Sequence, residues 1–247
     1  YICERLVVSA KEKQICGSLF LPQTESPCPA VIVSHGYNGS YKDFFRECEY
    51  FASHGIAAFS FDFCGGSVAS VSSGSTTQMS VLTEQADLEA MLECVRRFKG
   101  IRQDRIFLFG GSQGGLVSAL TAAAHPQDVR GLIVYYPALC IPDDWNRRYP
   151  TEEEIPDTTD FWNMTLGKLY FQDARRLEPF KVIGAYEKNV LIFHGEQDEI
   201  VPLDYSIKAQ KCYKNAKLEI LPGEGHGFTP RGGREAAEKV LAFLLEN

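Results

Sequence analysis

Residues 105–124 read RIFLFGGSQGGLVSALTAAA, and the change of character inside this stretch decides the fold. Arg105 to Phe109 alternates and is rich in β-formers, while Leu116, Leu120 and the alanines that follow suit a close-packed helix. GGSQGG therefore joins strand to helix, with Ser112 at the apex. Gly110 and Gly114 flank the serine where a side chain would collide with the neighbouring strand or helix if the backbone turned so sharply. This is the G-x-S-x-G pattern of a nucleophile elbow, and it points to acyl-transfer hydrolysis. A plain turn uses the same residues, since glycine and serine are common in strand-to-helix connections. The rest of the chain has to supply the serine's partners.

Working outward, residues 5–8 and 15–21 read as an antiparallel hairpin at a sheet edge, joined by the polar turn SAKEKQ. Residues 30–34 form a continuous apolar strand of the kind buried on both faces of a parallel sheet, opening into the glycine-rich HGYNG. A helix over 41–54 follows, carrying Phe44, Phe45, Cys48 and Phe51, then a buried strand over 56–63 and a long glycine- and serine-rich loop over 64–78. Helical spacing returns over 79–99 through Val81, Leu82, Leu88, Met91, Leu92 and Val95. Beyond the elbow come a strand at 131–136, another at 189–195, a helix near 203–213, a strand at 217–221 and a final amphipathic helix over 232–245. Strand and helix alternating through short connections predict a mostly parallel sheet covered by helices on both faces. Residues 137–188 break that rhythm with aromatic, acidic and proline residues and no obvious strand. The stretch is too long for a structureless connection, so it is expected to be a lid inserted into a single domain over 1–247.

Composition narrows the function. The chain has 247 residues, 45% of them hydrophobic and 23% charged, which suits one globular α/β unit. A net charge of -7 with no lysine or arginine cluster argues against a nucleic-acid partner. The eight cysteines are scattered and never form C-x-x-C, so no zinc site is expected and the thiols read as reduced, in a cytoplasmic protein. The opening YICERLVVSAKEK lacks a basic segment followed by a long apolar one, and no run reaches the roughly 18 apolar residues of a membrane span, so neither signal peptide nor membrane association is expected.

A serine hydroxyl is a weak nucleophile and needs a base, plus a carboxylate to orient that base. Asp198 lies in HGEQDEIVP just past the strand at 189–195, and His226 lies in GEGHGF just past the strand ending at Leu221. Singly, each has a plain reading as a turn residue. Together, in the order Ser112, Asp198, His226 and each after a strand, they form a candidate triad. Glu196 and Glu199 are rival acids in the same turn. Donors for the developing oxyanion are expected from the backbone N–H of Gln113, after the nucleophile, and of Tyr37, in the loop after the strand at 30–34. His35 is expected to brace that loop, and His194 and His125 to be structural.

HGYNG, GGSQGG, HGEQDEIVP and GEGHGF together resemble the α/β-hydrolase esterases of bacteria, most closely the feruloyl (cinnamoyl) esterase group. The segment PALCIPDDW with LGKLYFQDARRLEPFKVIGAY is similar to that group's inserted lid. The resemblance implies an α/β-hydrolase fold, Ser112, Asp198 and His226 as triad, Tyr37 and Gln113 as oxyanion donors, and Asp144 in the early lid as contact for an aromatic hydroxyl, with Trp145 beside it. Gly111 stands where the group usually has histidine. The implied activity is that of a serine carboxylic ester hydrolase on a small-molecule ester, hydroxycinnamoyl or other small aryl esters included, with no cofactor or metal. A peptidase or thioesterase on the same triad is the alternative, and an inactive binding protein on the same scaffold a further one. A serine at 112 disfavours the aspartate-nucleophile chemistry of dehalogenases and epoxide hydrolases. The oligomeric state, homodimer included, is open.

Overall fold

The apolar runs become strands of one sheet in the computed structural model, which describes residues 1–247. Strands β1 (Ile2–Ala10) and β2 (Lys13–Leu21) form the expected antiparallel hairpin at one edge. They are followed by β3 (Cys28–Ser34), β4 (Ala57–Phe61), β5 (Ile101–Gly111), β6 (Gly131–Tyr135), β9 (Asn189–Gly195) and β10 (Asn215–Leu221). The spatial order is β1-β2-β4-β3-β5-β6-β9-β10, with β2 antiparallel to β4 and every later pair parallel. The fold is that of an α/β-hydrolase.

The sheet is buried on both sides, and its strands alternate accordingly. In β3, Ala30 and Ile32 join the core under α2 (Val81–Arg97), α3 (Gln113–Ala124) and α7 (Leu203–Cys212), whereas Val31 and Val33 join the core under α1 (Phe45–Ser53) and α8 (Pro230–Glu246). The chain leaves β3 to one side for β4 and returns on the other side as β5. The loops after β3 and β5 therefore flank a switch point, where open α/β sheets form their crevice.

Helix α2 corrects one detail of the sequence reading. Ser80 caps it through a reciprocal bond with Thr83, and this starting register turns Leu82 outward, 42% exposed, while Glu84 is fully buried.

Residues 137–188 differ from expectation in containing strands. Between α4 (Ile141–Arg148) and α5 (Lys168–Arg176), β7 (Thr158–Phe161) and β8 (Met164–Gly167) form an antiparallel hairpin. Its turn residues, Trp162 and Asn163, have φ of +44° and +61°. Two-residue hairpins need this left-handed geometry and usually take it from Asn-Gly or Asp-Gly, so Trp-Asn carried no recognisable signal. The hairpin is tied to the body: Tyr37 Oη donates to the Phe161 carbonyl at 2.8 Å and Thr76 Oγ1 to the Thr165 carbonyl at 2.6 Å. The short α6 (Pro179–Val182) and the 3-10 turn after it pack instead on α3 and α7.

Candidate active site

Ser112 sits between the last residue of β5 and the first of α3 with φ +54° and ψ -121°. A non-glycine residue in that region is strained, and such strain persists only where surrounding structure enforces it. The enforcement is visible here. Ser112 donates its N–H to the Tyr135 carbonyl at 2.9 Å, and its own carbonyl accepts from Gly115, Leu116 and Ala138 at 3.0, 3.2 and 2.9 Å. A Cβ on Gly110 would run into the Gly114 carbonyl, and one on Gly114 into the carbonyls of Ser34 and His35. The two glycines of the pattern are thus required by close approach of backbone to backbone.

The three candidate residues, far apart in sequence, meet. His226 Nε2 lies 3.0 Å from Ser112 Oγ, and His226 Nδ1 lies 2.8 Å from Asp198 Oδ2. The Asp198 side chain is wholly buried. Burial alone would raise its pKa, but hydrogen bonds from His194, His226 and the N–H groups of Val201 and Ile200 outweigh it and hold the carboxyl far below the usual carboxylate range. An ionised Asp198 accepts from Nδ1–H, which leaves Nε2 free to accept the serine proton. Glu196 receives the Gly223 N–H at 3.2 Å, and Glu199 lines a cavity with Ile141, Trp145 and Tyr170; neither takes the place of Asp198.

His194 does more than pack. Its Nε2 is 2.9 Å from the Val201 carbonyl and 3.3 Å from Asp198 Oδ2, and its Nδ1 is 2.7 Å from Ser206 Oγ. With Ser206 donating to Nδ1, the Nε2–H is shared between the carbonyl and the carboxylate, so a second histidine supports the same aspartate. His35 behaves as expected, its Nδ1 bonding the Gly36 carbonyl at 2.7 Å and its Nε2 accepting from the Phe63 N–H at 3.1 Å. Burial lowers its pKa, and with both nitrogens engaged it is a brace for the loop after β3.

That loop runs close to the nucleophile. A Cβ on Gly36 would stand 3.1 Å from Ser112 Cβ and 3.8 Å from its Oγ, and the next N–H, that of Tyr37, takes part in no hydrogen bond within the protein. Gln113 N–H is the first of α3, where no helical carbonyl can accept it. The Gln113 side chain is held from both ends: Tyr170 Oη donates to its Oε1 at 2.7 Å, and its Nε2 donates to Glu84 Oε2 at 2.8 Å. The Glu84 carboxyl is pushed well above its ordinary value by burial, only partly offset by Gln113. Sequence reading missed this chain, because nothing in a helical spacing marks a glutamate as inward-facing.

Two cavities meet at Ser112, sharing only Tyr37, Ser112 and Trp162. The one beside α4 and α5, about 310 Å³, is walled by Ile141, Trp145, Phe161 and Tyr170, with Asp144 and Arg148 among its polar residues. Trp145 is 5% exposed and packs edge-on against Phe161 and Phe171 while presenting a wall to the cavity. The Asp144 carboxylate is half-exposed and lies 3.3 Å from Arg147 Nη1. The second cavity, about 510 Å³, contains His226.

Residues 25–173, more than half of the chain, match the model of the Hydrolase_4 family, described as serine aminopeptidase, S33. The chain belongs to this family. Among solved structures, Est1E from Butyrivibrio proteoclasticus with ferulic acid bound superposes with a TM-score of 0.90 at 27% identity, covering 98% of each chain. This structure carries the resemblance to the feruloyl esterase group expected from the motifs. The uncharacterised protein YfhR of Escherichia coli O157:H7 is 23% identical over 98% of this chain and 80% of its own length. The human serine hydrolase BPHL is 22% identical over 62% of this chain and 59% of its own. The chain is accordingly a serine hydrolase of the α/β-hydrolase superfamily.

Proposed function

We propose that this hydrolase is a carboxylic ester hydrolase working through an acyl-enzyme, with hydroxycinnamoyl or other small aryl esters as substrates. The observation that carries the proposal is the His226 ring spanning Ser112 Oγ and the Asp198 carboxylate, with Ser112 itself lining an aromatic-walled cavity. In this reading His226 takes the Ser112 proton as Oγ attacks the acyl carbonyl, and Asp198 holds the imidazole tautomer and stabilises its cation. The N–H groups of Tyr37 and Gln113 receive the oxyanion. His226 then protonates the departing alcohol, and water activated by the same nitrogen releases the acid. Residues 137–188 act as the lid, with Asp144 lining the acyl cavity to meet a phenolic hydroxyl. The eight free thiols support a reducing, cytoplasmic setting. No helix is long and apolar enough to cross a membrane.

A fluorophosphonate probe should label the intact protein and leave Ser112→Ala unlabelled; equal labelling of the two would sink the proposal. On methyl hydroxycinnamates set against short aliphatic esters, Asp144→Asn is expected to lower kcat/KM for the phenolic substrates only, roughly fivefold to tenfold, the difference between a hydrogen bond to a charged group and one to a neutral amide. The family's description as a serine aminopeptidase favours a second reading, cleavage of aminoacyl amides by the same residues. Relative kcat/KM on an aminoacyl p-nitroanilide and a p-nitrophenyl ester of the same acid separates them.

A further inference from the structure

The two cavities at Ser112 are not interchangeable, because the nitrogen that takes the serine proton must also deliver it to the departing alcohol oxygen. The leaving group therefore lies on the side that His226 lines. That is the larger cavity, of about 510 Å³, walled by Phe44, Tyr136, Trp162 and Phe228 beside the histidine. Its charge is of one sign. Asp43 and Glu47 line it, and no lysine or arginine does.

Glu47 feels the charge of Arg46, which partly offsets the effect of its burial. Asp43 Oδ2 accepts the Ser40 N–H at 2.9 Å, and no basic side chain forms an ion pair with either carboxylate. Burial raises the Glu47 carboxyl, and its charge is felt by Tyr135 and Tyr136 on the opposite wall. Tyr135 is a wall residue only 1% exposed whose hydroxyl has no partner. Acids near the start of α1 favour the helix dipole by about 0.3–1 kcal/mol, but that contribution does not require them to face a cavity. Asp43 is exposed, but Glu47 is partly withdrawn from water, and a carboxylate so withdrawn without an ion-pair partner is costly; the faces of tyrosine, phenylalanine and tryptophan attract cations, quaternary ammonium groups especially. Unpaired carboxylates and aromatic faces in one cavity make a receptor for an organic cation.

We propose that this cavity is the leaving-group subsite and that it selects alcohols bearing a quaternary or protonated ammonium group, so that the protein cleaves esters of choline-like amino alcohols. The proposal rests on the ester-hydrolase reading above. In the step it concerns, the Ser112 Oγ–acyl bond forms, the acyl–oxygen bond to the amino alcohol breaks, and the proton from Ser112 passes through His226 Nε2 to the departing oxygen. Glu47 and Asp43 hold the ammonium group and take no part in proton transfer. An adjoining cavity shares Asp43, Glu47, Phe228 and Gly233 with the first and is lined further by Arg46, Arg234 and Glu238.

The test is protection of Ser112 from a fluorophosphonate by two alcohols of the same shape, choline and its uncharged carbon analogue 3,3-dimethylbutan-1-ol. In each protein the unprotected labelling rate is the reference. Choline is expected to halve labelling at a concentration at least tenfold below that of the neutral alcohol, with the ratio shrinking as salt is raised. In Glu47→Gln the ratio should fall toward one, and Asp43→Asn,Glu47→Gln should abolish it. Equal protection by the two alcohols, or a preference for choline that survives in the double variant, overturns the subsite. Absence of any Ser112 labelling overturns the ester-hydrolase reading itself, and the subsite with it.

Discussion

Asp198 receives four donors, His226, His194 and the N–H groups of Ile200 and Val201. An amide at this position would keep the shape but offer its NH₂ to a ring nitrogen, favouring the wrong His226 tautomer. Asp198→Asn is therefore expected to lower kcat by about 10⁴-fold, the loss known for this change in a serine protease triad, while fluorophosphonate labelling slows in parallel. The same carboxylate contributes to stability. Its folded-state pKa lies below its unfolded value, so its contribution is present above about pH 4 and is lost as the pH falls toward the folded value. Thermal unfolding measured from about pH 6 downward should show a shallower acid slope in Asp198→Asn than in the parent below about pH 4. At this scale the sequence was highly legible. Ser112, Asp198 and His226 were readable because each sits in a glycine-marked turn after a strand. The contact of His194 with Asp198 was not, since a histidine inside an apolar strand reads equally well as packing.

Among elements, the junction of β5, the elbow and α1 explains the departure at Gly111. A Cβ there would stand 2.5 Å from Phe44 Cζ, and the Phe44 ring, at the N-cap of α1, packs edge-on to Phe109 at 4.9 Å between centroids. The aromatic ring from α1 fills the space a side chain before the nucleophile would take. Gly111→Ala is expected to destabilise by about 1–3 kcal/mol through overpacking. Because the clash is with one ring, Gly111→Ala,Phe44→Leu should be less destabilised than the sum of its parts, with a coupling of about 0.5–3 kcal/mol in urea unfolding. Strict additivity would show that the glycine answers to something else. The hairpin β7–β8 marks the limit of sequence reading at this scale. Its strands are four residues each and its turn puts tryptophan at positive φ, a conformation held by contacts with Tyr37 and Asn38 that lie more than a hundred residues away.

For the whole molecule, Glu84, Gln113 and Tyr170 run from α2 through the first residue after Ser112 to α5, all of them buried. Glu84 Oε1 has no partner, so charging this group in the fold is unfavourable. Its folded-state pKa lies above its unfolded one, so the folded protein retains the proton over a pH range in which the unfolded chain has released it. Stability is then expected to fall as pH rises above about 4.3, the ordinary glutamate value, toward the folded-state value. Glu84→Gln keeps the acceptor for Gln113 Nε2 without the ionisation. Its melting temperature should match the parent's at low pH and exceed it increasingly toward neutrality; a parent curve parallel to the variant's would contradict this.

The sequence by itself determined the parallel sheet, the elbow, the order of Ser112, Asp198 and His226 after their strands and the break in rhythm over 137–188, because these depend on local pattern: β-rich runs, helical spacing, and glycines where backbone meets backbone. Tertiary structure alone decided what lies on either side of Ser112. The aromatic cavity under α4 and α5, the acidic one beside α1, and the buried chain from Glu84 to Tyr170 are each assembled from segments distant in the chain. Which face an acid or an aromatic ring presents is set by packing between elements, and no local spacing encodes it.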